Sequence, residues 1–333
     1  MNINQWIKEI IEDTQRYTIP IMTHPGIEMI GCTVRDAVQN GEVHARAIKA
    51  LSDSYPSKAA TVIMDLTVEA EAFGSTIEFP EHDMPHIIGS LVDASTVESL
   101  QVSPLSAGRI PEYLEANRLA VEMINDKPVF AGAIGPFSLA GRLFDMSEIM
   151  VACYMEPDAI ALLLDKCTRF ILSYCKALKD TGCAGVIIAE PAAGLLSGED
   201  CQQFSSVYIK KIVEAVQDDT FVVILHNCGN TGQCTEAMLH TGAGAYHFGN
   251  AIDMAKTLDE CPQNVLIMGN IDPVGILKMM SPENIKKEVT SLLERTQAYP
   301  NFVLSTGCDV PPYVPIANIE AYYQALNEYN QKN

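Results

Sequence analysis

Eight short apolar runs, each bounded by turn-forming residues, punctuate this chain from one end to the other. They are IPIMTH (19–24), TVIMDL (61–66), PVFAGAIG (128–135), GVIIAE (185–190), FVVILHNC (221–228), AYHFG (245–249), VLIMGNID (265–272) and FVLSTGCD (302–309). Runs that are apolar along their length, rather than alternating, belong to parallel sheets covered on both faces. Crossover helices supply such cover, and helical periodicity is legible between the runs at 110–126, 157–180, 199–217, 281–298 and 315–331. Several of these segments open with Pro or a carboxylate in the first turn. Eight strand-and-helix units on 333 residues predict an α/β fold, a closed (β/α)8 TIM barrel forming a single domain over residues 1–333. An open doubly wound sheet is the alternative. Its glycine fingerprint after the first strand is missing, and TGAGAYHFG precedes a strand instead of opening a helix.

Two segments depart from the repeating unit. At the N-terminus, Trp6, Ile7, Ile10, Ile11 and Gln15 fit a short amphipathic helix, an extension before the first strand. Residues 67–126 form an oversized connection after the second strand, containing FPEHDMPHIIGS and SPLSAGRIP, and so predict a lid-like insertion. Composition narrows the partners. With 42 acidic against 22 basic residues the formal charge is −20, which repels phosphate backbones and anionic lipid, so neither nucleic acid nor a membrane is expected as a partner. No apolar run reaches the roughly 18 residues of a membrane span, and the acidic N-terminal segment is unlike a signal peptide, so a cytoplasmic location is expected. The ten cysteines are scattered too widely for a disulfide scaffold and are expected to be mostly free, buried thiols.

Polar residues accumulate where the runs end: His24, Asp65, Glu190, His226, Cys228, His247, Asp272, Cys308 and Asp309. In a barrel those ends surround one mouth, where active sites of this architecture are built. His226 and Cys228, two apart at the end of the fifth run, face the same way on a strand, and Cys308 ends the eighth. Two thiolates and an imidazole are borderline-soft ligands suited to zinc, and three protein ligands leave a fourth position open for chemistry. The alternative is that these cysteines are small buried hydrophobes. His82 and His86 are four apart, but Pro85 opposes a helix there and they are not assigned to metal.

The stretches VEAEAFG (68–74), GPFSLAG (135–141), AEPAAG (189–194), GNIDP (269–273) and STGCDVPPYVPIANIEAY (305–322) resemble the uroporphyrinogen decarboxylase superfamily, in the family's order and across nearly the whole chain. HNCGN together with GCDVPP resembles its zinc-dependent branch, typified by methylcobamide:coenzyme M methyltransferases. That resemblance implies a (β/α)8 barrel, with His226, Cys228 and Cys308 holding the zinc. It also implies a methylated corrinoid, carried by a partner protein, as methyl donor to a small thiol. The decarboxylases' arginine-bearing N-terminal segment is replaced here by MTHPGIEMIG (22–31), which contains no arginine, leaving Arg35, Arg109 and Arg142 as the residues that could compensate.

Candidate roles follow for the remaining strand-end residues. Glu190 is a candidate fourth ligand or proton acceptor, against a role in capping the next turn. His247 is a candidate for a hydrogen bond to a metal ligand or for contact with the corrinoid, and His24 for contact with substrate. Asn230, with Thr231, could orient the loop after the His-x-Cys pair, and Asp65 and Asp272 stand at other strand ends; these three, Asn230, Asp65 and Asp272, are the candidate cofactor contacts. Glu71 matches a glutamate of the family pattern and could equally lie on a solvated helix face. Two other classes of function stay open: a metal-free decarboxylase, and a non-catalytic corrinoid- or zinc-binding barrel.

Overall fold

The β-branched, apolar runs pair side by side into one parallel sheet, as strands covered on both faces should. In chain order the strands are β1 (Ala60–Thr61), β2 (Thr76–Glu78), β3 (His86–Ile88), β4 (Val129–Ile134), β5 (Gly185–Ala189), β6 (Val222–Asn227), β7 (Ala245–Phe248), β8 (Leu266–Ile271) and β9 (Phe302–Thr306). A computed structural model describing residues 1–332 arranges seven of them in the order β1-β4-β5-β6-β7-β8-β9, every neighbouring pair parallel. The sheet is curled in the manner of a (β/α)8 barrel.

The eighth stave differs from expectation. The run at 19–24 forms no regular strand; Thr18 makes a lone parallel bridge to Leu304. Ile19 N–H donates to the Leu304 carbonyl and Leu304 N–H to that of Tyr17, each at 3.0 Å, tying the segment to β9. On its other side Lys58 N–H donates to the Thr18 carbonyl at 2.9 Å and the Thr61 hydroxyl to that of Pro20 at 3.3 Å, tying it to β1. Residues 17–21 therefore bridge the two edges of the sheet. Pro20 has no N–H to donate, so the ladder cannot continue through it.

One end of the barrel is stoppered. The helix Ile3–Glu12 buries Ile3, Trp6, Ile7 and Ile10, which join Phe130, Ile187, Ile224, Leu266, Met268 and Val303 in one apolar cluster inside the sheet. Trp6 meets Phe130 edge to face, with ring centroids 5.8 Å apart, an arrangement aromatic pairs favour. Outside the sheet, helices including Ile110–Met123, Pro157–Asp180, Pro282–Arg295 and Ile316–Lys332 form the covering layer. The helix expected over 199–217 is interrupted: Gly198–Cys201 and Val207–Val216 are α-helical, and Gln202–Ser206 forms a π turn. That wider turn carries Ser205, whose hydroxyl donates to Glu190 at 3.0 Å, a use typical of π-bulges near functional sites. The insertion at 67–126 contains the helices Val68–Phe73 and Ile110–Met123 and the antiparallel hairpin β2-β3. Among the described residues no helix is long and apolar enough to cross a membrane.

Candidate metal site

β6 is buried at every position, and His226 is its penultimate residue, in register with Ala189 on one side and His247 on the other. Immediately afterwards the Asn227 side chain accepts the N–H groups of Gly229 and Asn230, each at 3.0 Å, and turns the chain. Cys228 thus sits in the turn rather than on the strand. Cys308 follows β9 by two residues, and both thiols are half-buried. Glycine lets these loops meet. A Cβ at Gly249 would lie 2.7 Å from Cα of Cys228, and one at Gly307 would lie 2.6 Å from the backbone nitrogen of Asn250.

One donor atom each from His226, Cys228 and Cys308 lies within 4.8 Å of the other two. That span is close to the reach of one ion with ligand bonds of about 2.0–2.3 Å. An imidazole and two thiols form a donor set that fits zinc. The two thiols act on each other: the neighbouring Cys308 lowers the pKa of Cys228, and the neighbouring Cys228, with burial, raises that of Cys308. Nδ1 of His226 lies 2.8 Å from Nδ1 of His247, whose Nε2 lies 2.8 Å from the Ser305 hydroxyl, which in turn lies 2.7 Å from the Ile19 carbonyl. Complete burial holds the pKa of His247 well below the ordinary histidine value, so it is neutral.

The other strand-end candidates occupy distinct settings. His24 opens the helix His24–Met29 instead of ending a strand. Its Nδ1 donates to the carbonyl of Val310 at 2.8 Å, close to Asp309, while its buried Nε2 has no partner. The Glu190 carboxylate accepts the N–H groups of Phe137 and Ser138 at 2.8 and 3.0 Å as well as the Ser205 hydroxyl, so it caps the helix Pro136–Phe144. Burial raises its pKa to about 6. Asn230 holds the loop after Cys228: its side-chain oxygen accepts from Gly232 and Cys234, and its amide donates to Thr235. Thr231 bonds to Gln233. Asp272 accepts the N–H groups of Val274 and Gly275 at a helix start.

Across the mouth, Asp65 pairs with Arg109, which also binds Glu71, the Thr67 hydroxyl and the Val38 carbonyl. Arg109 as the hub of a buried network was not legible in the sequence, because its partners lie between 38 and 71 residues upstream with no spacing signal. Arg35 donates to the Phe79 carbonyl, and Arg142 is half-buried on the helix Pro136–Phe144. His86 pairs with Glu78 across the β2-β3 hairpin. Ser305 and the two loop glycines were also missed, although a hydroxyl inside an otherwise apolar run was a usable signal.

The uroporphyrinogen decarboxylase family model matches residues 16–329, and the chain belongs to that family of enzymes. It is 31% identical over 286 residues to the methylcobamide:CoM methyltransferase MtbA of Methanosarcina acetivorans, covering 82% of this chain and 80% of that protein. A uroporphyrinogen decarboxylase of Salmonella dublin is 27% identical over 290 residues, covering 83% of this chain and 81% of the relative. Among solved structures, a methyltransferase from Methanosarcina mazei superposes with a TM-score of 0.88 at 24% identity, covering 98% of both chains, which shows the shared fold.

Proposed function

We propose that this member of the uroporphyrinogen decarboxylase family is a zinc-dependent methyltransferase. It moves a methyl group from a methylated corrinoid, presented by a partner protein, to a small thiol such as coenzyme M. The convergence of His226, Cys228 and Cys308 at the open end of the barrel carries this reading. When bound there, zinc would stabilise the acceptor's thiolate over its thiol at neutral pH. His226, Cys228 and Cys308 would hold the ion, which would be left accessible to the acceptor thiol. In the transfer, the acceptor sulfur forms a bond to the methyl carbon as the carbon–cobalt bond breaks, its electron pair remaining on cobalt.

The chain's own groups supply position and proton handling. His24 presents an unpaired buried nitrogen beside the Cys308 strand end and is assigned as acceptor of the thiol proton. His247 orients His226, and Glu190 fixes the helix and loop that border the site. Asn230, Asp65 and Asp272 act on the corrinoid side through the loops they hold. The decarboxylase reading is disfavoured by the commitment of Arg109 to internal carboxylates, which leaves it unable to receive those of a tetrapyrrole.

Anaerobic purification, metal analysis and a methylcobalamin demethylation assay across a panel of thiols test this assignment. Zinc near one per chain with thiol-dependent demethylation is the expected result. A metal-free preparation that decarboxylates a porphyrinogen would overturn it.

A further inference from the structure

We propose that Ser305 is a positioning residue: acting through His247, it dictates which nitrogen of His226 carries the proton and so which is free to bind metal. This deepens the zinc reading above and rests on it for its functional meaning, but the hydrogen-bond logic stands on geometry alone. The Ile19 carbonyl, 2.7 Å from Oγ of Ser305, can only accept, so the hydroxyl proton is committed to it. The serine oxygen must then accept from Nε2 of His247 at 2.8 Å. His247, fully enclosed and donating its one proton from Nε2, offers a lone pair at Nδ1, and the facing Nδ1 of His226, 2.8 Å away, donates to it. The proton of His226 is thereby placed on Nδ1, and its Nε2 keeps the lone pair a metal needs.

The direction of the relay originates at the irregular stave. Ile19 lies between β9 and β1 just before Pro20, and its carbonyl takes its hydrogen bond from Ser305 where a regular strand would pair it with a backbone N–H. Without the hydroxyl, the proton shared by the two Nδ1 atoms could sit on either ring. In the reversed arrangement His226 carries its proton on Nε2 and cannot ligate. His226, His247 and Ser305 are all buried, so water does not substitute for the serine.

The test uses the full-length protein, metal-free and 15N-labelled at histidine, with tautomers read by multiple-bond 1H–15N correlation. Wild type should show His226 protonated at Nδ1 and His247 at Nε2. Ser305→Ala should lose that single tautomer. Its zinc affinity, measured by competition with a chromophoric chelator, should fall by about 10–100-fold, and Ser305→Thr, which keeps the hydroxyl, should restore both. The proposal is overturned if wild-type His226 carries its proton on Nε2, or if Ser305→Ala keeps the wild-type tautomer and affinity. Should Ser305→Ala not fold, the wild-type spectrum still decides. Wild type that shows the expected tautomers yet binds no zinc would refute the metal reading while leaving the relay intact.

Discussion

The two sides of the barrel mouth handle polar groups in opposite ways. Around Arg109, the guanidinium faces Asp65, Glu71, the Thr67 hydroxyl and the Val38 carbonyl, so each cation–carboxylate contact has its counterpart inside the protein. Around Cys228 and Cys308, two thiols and the imidazole of His226, held from behind by His247, converge on one point, and His24 adds a buried nitrogen with no partner. Saturated networks hold a shape, whereas convergent, under-partnered donors are poised for a ligand the chain does not itself supply. One side is framework and the other is reagent.

The largest expected effect tests the reagent side. Cys308→Ala removes one of three donors, and zinc affinity should fall on the order of a thousandfold with demethylation lost in parallel, measured by chelator competition and by assay. Retention of stoichiometric zinc would break the contrast between the two sides. On the framework side, Arg109→Met strands two carboxylates and should cost about 3–5 kcal/mol of stability in urea unfolding. Its effect on the activity of the folded fraction should be small by comparison.

A pH dependence sharpens the contrast further. Burial raises the pKa of Glu69 to about 7 from 4.5. A carboxyl that holds its proton more tightly when folded opposes stability progressively as pH rises from its unfolded pKa towards its folded one, and by a constant amount above. Glu69→Gln removes that term, so the variant should gain on wild type by about 1–3 kcal/mol between about pH 5 and about pH 8. A gain that shrinks with rising pH would show the carboxylate to be satisfied like those around Arg109. Smallest of all, Asp272→Ala should lose about 1 kcal/mol through its helix cap, with Asp272→Asn close to wild type. The KM for methylcobalamin should rise modestly in Asp272→Ala, whose loop loses its cap, and stay near wild type in Asp272→Asn.

Much of the architecture was legible because it follows from periodicity. Six of the eight apolar runs became parallel strands along most of their length, the run at 61–66 being strand only at Thr61 and the run at 19–24 not at all. The long helix expected at 157–180 spans Pro157–Asp180. What escaped were places where one side chain overrides a local pattern. Pro20 makes the first run an irregular stave, and Ser205 reaches Glu190 from a π turn within an otherwise helical stretch. At the site, strand-end logic singled out the residues that the structure brings together, since barrel closure alone gathers those ends. It could not supply the contacts behind them. Ser305 is 58 residues from His247 and 286 from Ile19, separations that leave no trace in a linear reading.

The seam formed by residues 17–21 also orders events in time. During synthesis Ile19 leaves the ribosome long before Phe302–Thr306 exists to receive it, and the early segment must wait for the last strand. Because Cys308 lies just beyond that strand, the three side chains that converge at the barrel mouth come together only after the last strand has been made.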